Sequence, residues 1–175
     1  MKKQFKICLL GEGAVGKTSI KNRLLTGKFT SQYMATLGVD FGVYSFTLGD
    51  VDIQFAIWDI AGQKNFDLIR DGYFESSKAG IIVFDVTKPE SMIKIKDHWL
   101  VPFYNKLQNK IPVIIIANKI DLNSERNISK EQMNDFFTLL QAELEIEKLP
   151  IIETSAKDGT NVTKSMELLA ELLLE

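Results

Sequence analysis

At 175 residues, 45% hydrophobic and 25% charged, the chain carries enough apolar material for one domain with a full core, and it fits one domain rather than two. A formal net charge of −2 excludes an overall field that would draw it to nucleic acid or to an anionic membrane. A single cysteine excludes an internal disulfide and fits a reducing compartment, and no apolar run approaches the ~18 residues that a membrane span needs.

In chain order, residues 5–10 read as a first strand, with Cys8 as a small core residue inside it. The short basic start (Lys2, Lys3, Lys6) is too brief to be a nuclear or membrane patch. Residues 17–25 read as a helix. Phe41, Val43 and Ser45 alternate with their neighbours, as do Ile53, Phe55 and Ile57, and both sets are expected to point inward. Gly49-Asp50 between them signals a hairpin turn. The continuous apolar runs 81–86 and 113–117 suit strands covered on both faces. Residues 91–108 are helical in composition, with Pro102 expected to kink the helix or mark an irregular turn. Ser129-Lys130-Glu131-Gln132 has the pattern of a capping box opening a helix through about Glu145. Residues 150–152 start a last short strand, and Val162, Met166, Leu169 and Leu173 share one helical face. Strands alternating with helices imply an α/β fold with a mostly parallel sheet and one antiparallel strand pair at its edge, in a single domain over residues 1–175.

Several segments carry chemistry. Gly11-Glu12-Gly13-Ala14-Val15-Gly16-Lys17-Thr18 fits G-x-x-x-x-G-K-[ST] between a strand and a helix, the context this phosphate loop requires. Its glycines let successive backbone N–H groups face phosphate oxygens, and the helix N-terminus adds partial positive charge. Lys17 can reach the β- and γ-phosphates, and the Thr18 hydroxyl can ligate magnesium. By itself this loop names neither the base nor the reaction.

Asn118-Lys119-Ile120-Asp121 lies at the carboxyl end of a buried strand, where ligands of open α/β sheets bind. A carboxylate there can accept from guanine N1–H and the 2-amino group, whereas adenine would leave it unpaired. A polar loop ending a strand is the plainer alternative, since Asn and Asp favour turns. Ser155-Ala156-Lys157 is a weaker signal, in which the Ala156 N–H could donate to guanine O6. Phe29 could stack on the base or serve as a buried anchor. Asp59-Ile60-Ala61-Gly62-Gln63 offers a carboxylate for magnesium through water, a Gly62 N–H for a γ-phosphate and an amide to orient the attacking water. Thr36 is either an ordinary loop threonine or a magnesium ligand that engages when its loop closes.

Taken in this order and spacing, these segments resemble the Ras superfamily of small GTPases over nearly the whole chain. Residues 36–41 and Trp58 before Asp59 are similar to the Rab group, and Phe41, Trp58 and Tyr73 match an aromatic triad with which Rab-like proteins contact effectors. His98-Trp99 with Pro102 is similar to the Rho group instead. The resemblance implies the three-layer P-loop NTPase fold of small GTPases, with six strands and about five helices. It implies a GTP/GDP switch that hydrolyses GTP with magnesium, in vesicle-trafficking or signalling regulation. Gly11, Gly13, Ala14, Val15, Gly16, Lys17, Thr18 and Ser19 would hold the phosphates. Phe29, Asn118, Lys119, Asp121, Ser155, Ala156 and Lys157 would hold the base. Thr18, Thr36 and Asp59 would serve magnesium, and Lys17, Thr36 and Gln63 catalysis, with Gly62 on the γ-phosphate.

An exchange factor, a GTPase-activating protein and effectors are the implied partners. The chain is expected to be a cytoplasmic monomer without nucleic-acid partners or membrane insertion, peripheral membrane association needing a lipidated tail or partner outside residues 1–175. Slow intrinsic turnover is expected, since no arginine stands out to act in cis. Ile60, Lys64-Asn65 and the lengths of residues 75–80 and of the stretch between Asp121 and Ser155 depart from the Rab-like pattern, where regulators and effectors bind. Two other readings stay open: a GTP-binding adaptor with negligible turnover, against which Gln63 argues, and a P-loop kinase or ATPase, against which residues 118–121 argue.

Overall fold

The structure, a computed structural model, describes residues 1–30, 36–62 and 67–175, with the backbone alone for 67–69. Among the described residues six strands form one sheet: β1 (Lys2–Leu10), β2 (Val39–Leu48), β3 (Val51–Ile60), β4 (Ala79–Asp85), β5 (Val113–Asn118) and β6 (Ile151–Thr154). Their spatial order is β2-β3-β1-β4-β5-β6. β2 runs antiparallel to β3 at one edge, and every other pairing is parallel. The helices are α1 (Lys17–Thr26), α2 (Asp67–Phe74), α3 (Pro89–Ile93), α4 (Val101–Leu107), α5 (Lys130–Glu143) and α6 (Val162–Leu174).

The period-2 geometry of strands divides the core into two layers. On β1, Ile7 and Leu9 join Ile20 of α1 and Val162, Met166 and Leu169 of α6 on one face. Cys8 and Leu10 join Phe74 of α2, Phe103 of α4 and Met133, Phe137 and Leu140 of α5 on the other. β4 and β5 are buried at every residue, as parallel strands covered on both sides must be. The result is a three-layer α/β fold.

Helix boundaries follow local chemistry. Ser129 Oγ accepts from Gln132 N at 3.1 Å and Gln132 Oε1 accepts from Ser129 N at 2.9 Å, the reciprocal cap the sequence announces for α5. In the stretch from 91 to 108, expected to be helical with a kink or an irregular turn at Pro102, the irregular form is found. The stretch consists of α3, a π-helical segment Ile95–Leu100 and α4, which brings the α-helices among the described residues to six, against about five expected. Pro102 falls in the first turn of α4, where a missing N–H costs least. The irregularity lies just before it, where Val101 N–H reaches back five residues to the Lys96 carbonyl.

The inward face of β2 is also corrected. Phe41 and Val43 are exposed, and Gly42, Tyr44 and Phe46 face the core instead. The two-residue turn at Gly49-Asp50 pairs Leu48 with Val51, which sets Phe46 opposite Ile53, Tyr44 opposite Phe55 and Gly42 opposite Ile57. Directly opposed residues share a face, so the inward positions of β3 dictate those of β2. Gly42 faces α1, and a Cβ there would lie 2.5 Å from Leu25 Cδ1, so that the Leu25 side chain would have to shift.

Candidate functional site

The carboxyl ends of β1, β3, β4, β5 and β6 deliver their following loops to one end of the sheet. Residues 11–16 curl from β1 into α1. Lys17 turns its ammonium back into this loop, donating to the carbonyls of Gly11 at 2.6 Å and Glu12 at 2.7 Å. Burial lowers its pKa to about 8, against the opposing pull of Asp59 and Glu12.

Asp59, at the end of β3, is fully buried. Its Oδ2 accepts from Thr18 Oγ1 at 2.5 Å, and Thr18 Oγ1 also shares a hydrogen bond with Thr36 Oγ1 at 2.8 Å. Burial raises the Asp59 carboxyl above the usual range despite the Thr18 hydrogen bond and the nearby Lys17 and Lys21 charges. Asp59 Oδ1 has no hydrogen-bond partner among the described residues. One orphaned carboxylate oxygen beside two hydroxyls is a hard-oxygen donor set that fits magnesium completed by phosphate and water. Among the described residues no group of three His, Cys, Asp or Glu could hold a metal by itself, so the fit depends on ligands from outside the protein.

The opposite side of the site is built by β5 and β6. Asn118 Nδ2 donates to the Val15 carbonyl at 2.9 Å, and its Oδ1 accepts from Thr154 Oγ1 at 3.0 Å and Ala156 N at 3.2 Å. The Ala156 N–H is thus engaged within the protein. Lys119 donates to the Ala14 carbonyl at 2.8 Å and pairs with buried Asp85 at 2.6 Å. Asp121 Oδ1 accepts from Ser155 Oγ at 2.7 Å, leaving the rest of the carboxylate for the cavity. Arg23 ties α1 to this loop through the carbonyls of Ala156, at 2.9 Å, and Lys157.

A cavity of about 650 Å³ joins the two sides. Gly13, Ala14, Gly16, Lys17, Thr18, Ser19, Thr36 and Gly62 line it at the phosphate-loop side, and Phe29, Asn118, Lys119, Asp121, Ala156 and Lys157 at the other. Phe29 is partly exposed on the wall and is not a buried anchor. Gly11, Val15, Asp59 and Ser155 stand behind the lining: Val15 packs in the core and Ser155 orients Asp121. Gly62 lies against the phosphate loop so closely that a Cβ would collide with the backbone of Gly11, Glu12 and Gly13. Gln63 lies outside the described residues.

The structure adds residues that spacing did not announce. Asn22, Thr30, Ala61 and Leu122 also line the cavity. Asn22 stands one helical turn beyond Thr18, a spacing that could have flagged it. Glu12 is clamped from the π-helical segment and its neighbour: Lys94 Nζ lies at 2.8 Å, Trp99 Nε1 at 3.1 Å and His98 Nδ1 at 3.4 Å. Burial would raise the Glu12 carboxyl, but the hydrogen bonds from Lys94 and Trp99 outweigh it and hold it below the usual range. Arg70 of α2 stacks its guanidinium 4.8 Å from the Trp99 ring, so that α2, the phosphate loop and the π segment meet there.

Comparison with known proteins agrees with this geometry. A family model described as the Ras family matches residues 6–175. The chain is 34% identical over 165 residues to Ras-related protein Rab-11C of Dictyostelium discoideum, covering 94% of this chain and 70% of that protein. It is 34% identical over 172 residues to Ras-related protein Rab-30 of Homo sapiens, covering 98% and 81%. It is 31% identical over 177 residues to Ras-related protein Rab7 of Drosophila melanogaster, covering 99% and 82%. A phosphate loop and an Asn-Lys-x-Asp loop facing one cavity, together with these matches along the chain, place it in the Ras family as a Rab-like small GTPase, a switch that hydrolyses GTP.

Proposed function

We propose that the cavity binds GTP or GDP together with magnesium and that Thr36 and Gly62 report the γ-phosphate to the surface. The observation that carries this reading is the Asn118 bridge, which holds the phosphate loop and the base loop on opposite walls of one cavity. The phosphates lie along residues 13–19, and Lys17 exchanges the Gly11 and Glu12 carbonyls that it holds in this structure for phosphate oxygens. Asp121, oriented by Ser155, reads the guanine edge between Phe29 and the Ala156-Lys157 backbone.

Magnesium supplies charge neutralisation at the β- and γ-oxygens when bound, held by the Thr18 and Thr36 hydroxyls and, through water, by Asp59. Loss of the γ-phosphate removes the partner of Thr36 and of the Gly62 N–H, so the two segments carrying them relax. Gln63 orients the attacking water, an assignment that rests on the resemblance. None of the chain's three arginines, Arg23, Arg70 and Arg126, lines the cavity among the described residues, which supports slow unaided turnover and an arginine lent by an activating protein.

Outside the cavity, Phe41, Trp58 and Tyr73 form a continuous aromatic surface, with ring centroids 5.7 and 6.1 Å apart, and Lys6 Nζ lies 4.4 Å from the Trp58 ring. This surface is the place for effectors in vesicle-trafficking regulation. Among the described residues no helix is long and apolar enough to cross a membrane. A cytoplasmic monomer fits this role, with peripheral membrane association only where a partner or a lipidated tail outside residues 1–175 supplies it.

The test is to denature freshly isolated protein, identify the nucleotide released and follow release from native protein with and without a magnesium chelator. GDP or GTP near one per chain, lost faster when magnesium is removed, is the expected result. Recovery of adenine nucleotides, or release indifferent to the chelator, would overturn the assignment.

A further inference from the structure

Lys21 is a lysine that the nucleotide chemistry does not use, yet it is buried with 2% of its side chain exposed. It sits one turn along α1 from Thr18 and does not line the cavity. Its ammonium is paired with Asp40 Oδ2 and stands 4.0 Å from Asp59 Oδ2. Asp40 lies at the start of β2, four residues after Thr36, with its side chain half exposed. The Lys21 stem passes beside Gly42 of β2, within ordinary packing distance of where a Cβ would lie.

Resting on the magnesium reading above, we propose that Lys21 is a resident countercharge behind the metal site, which stabilises buried Asp59 when magnesium is absent and so weakens the protein's demand for the metal. A buried carboxylate without a nearby positive charge is costly, and a divalent ion at Thr18 and Asp59 relieves that cost. Lys21 relieves part of it in advance. It also sets a fixed positive charge near the position of a divalent cation, in an interior where like charges are poorly screened. Both effects act in one direction, toward a higher magnesium concentration for half-maximal nucleotide retention. Asp40 sets the balance, because it holds the same ammonium and competes with Asp59 for it.

The experiment follows release of a fluorescent GDP analogue from the full chain across a series of free magnesium concentrations. Lys21→Met keeps the stem and removes the charge. Its midpoint should fall about tenfold, with release at saturating magnesium no faster than wild type. Asp40→Asn, at a half-exposed position, gives the ammonium wholly to Asp59, and its midpoint should rise about threefold. An unchanged or higher midpoint in Lys21→Met, or faster release at every magnesium concentration, would reduce Lys21 to a packing role. Should Lys21→Met not fold, Asp40→Asn decides alone, and an unchanged or lower midpoint there overturns the inference. Wild-type protein that retains no guanine nucleotide at saturating magnesium would instead bring down the functional reading itself, and this inference with it.

Discussion

Asn118 Nδ2 donates to the Val15 carbonyl at 2.9 Å although the two residues are separated by 103 positions in the chain. Because Asn118 Oδ1 also accepts from Thr154 and Ala156, one buried amide registers three loops against each other. Asn118→Ala strands a carbonyl, a hydroxyl and an N–H in the interior. The expected loss of stability is on the order of 2–4 kcal/mol, measured by urea unfolding. GDP affinity should fall by at least about 100-fold, because the two halves of the cavity lose their relative position.

Asp121 has one oxygen held by Ser155 and lines the cavity with the other. Asp121→Asn replaces an acceptor by a donor and should shift preference from guanosine toward xanthosine nucleotides. A competition titration should show the guanine advantage, about 10⁴-fold at sites of this kind, largely gone. Unchanged base preference would remove Asp121 from the base site.

Gly62 has no room for a side chain against Gly11, Glu12 and Gly13. Gly62→Ala should push its segment off the phosphate loop while leaving Asp121 and Lys17 in place. GDP binding is expected to survive, and the fluorescence difference between the GDP and GTP-analogue states, reported by nearby Trp58, to collapse. A normal GTP response would show that Gly62 does not sense the γ-phosphate.

Lys17 gives a pH dependence with a defined sign. Burial depresses its pKa from 10.5 to about 8, so between these values the unfolded chain binds more protons than the folded one. Stability of nucleotide-free protein from this group therefore rises with pH across that window and is lost as pH falls through about 8. Subtracting the profile of Lys17→Met from wild type should leave a rise of up to ~3 kcal/mol between pH 8 and 10.5. A flat difference would show that the ammonium is not desolvated.

Much of the site was legible because its parts are local. Residues 11–18 form their loop from neighbouring backbone, between a strand that its apolar run announces and the helix that the motif itself opens. The cap at Ser129 and the turn at Gly49-Asp50 are equally short-range. The inward face of β2 was misread because alternation alone has two phases, and pairing with β3 chooses between them. Pro102 announced an irregularity in residues 91–108 but not its kind or side, because the missing N–H says that a helix must adjust without saying where.

The sequence alone determined the class of fold, the phosphate loop and the candidate base-reading loop, since each depends on residue type at fixed short spacing. Tertiary structure decided what stands behind those residues. The clamp on Glu12 from Lys94, His98 and Trp99, the pairing of Asp85 with Lys119, and the place of Lys21 between Asp40 and Asp59 join distant segments. Charges and buried hydrogen bonds act through space, and only the folded chain sets those distances.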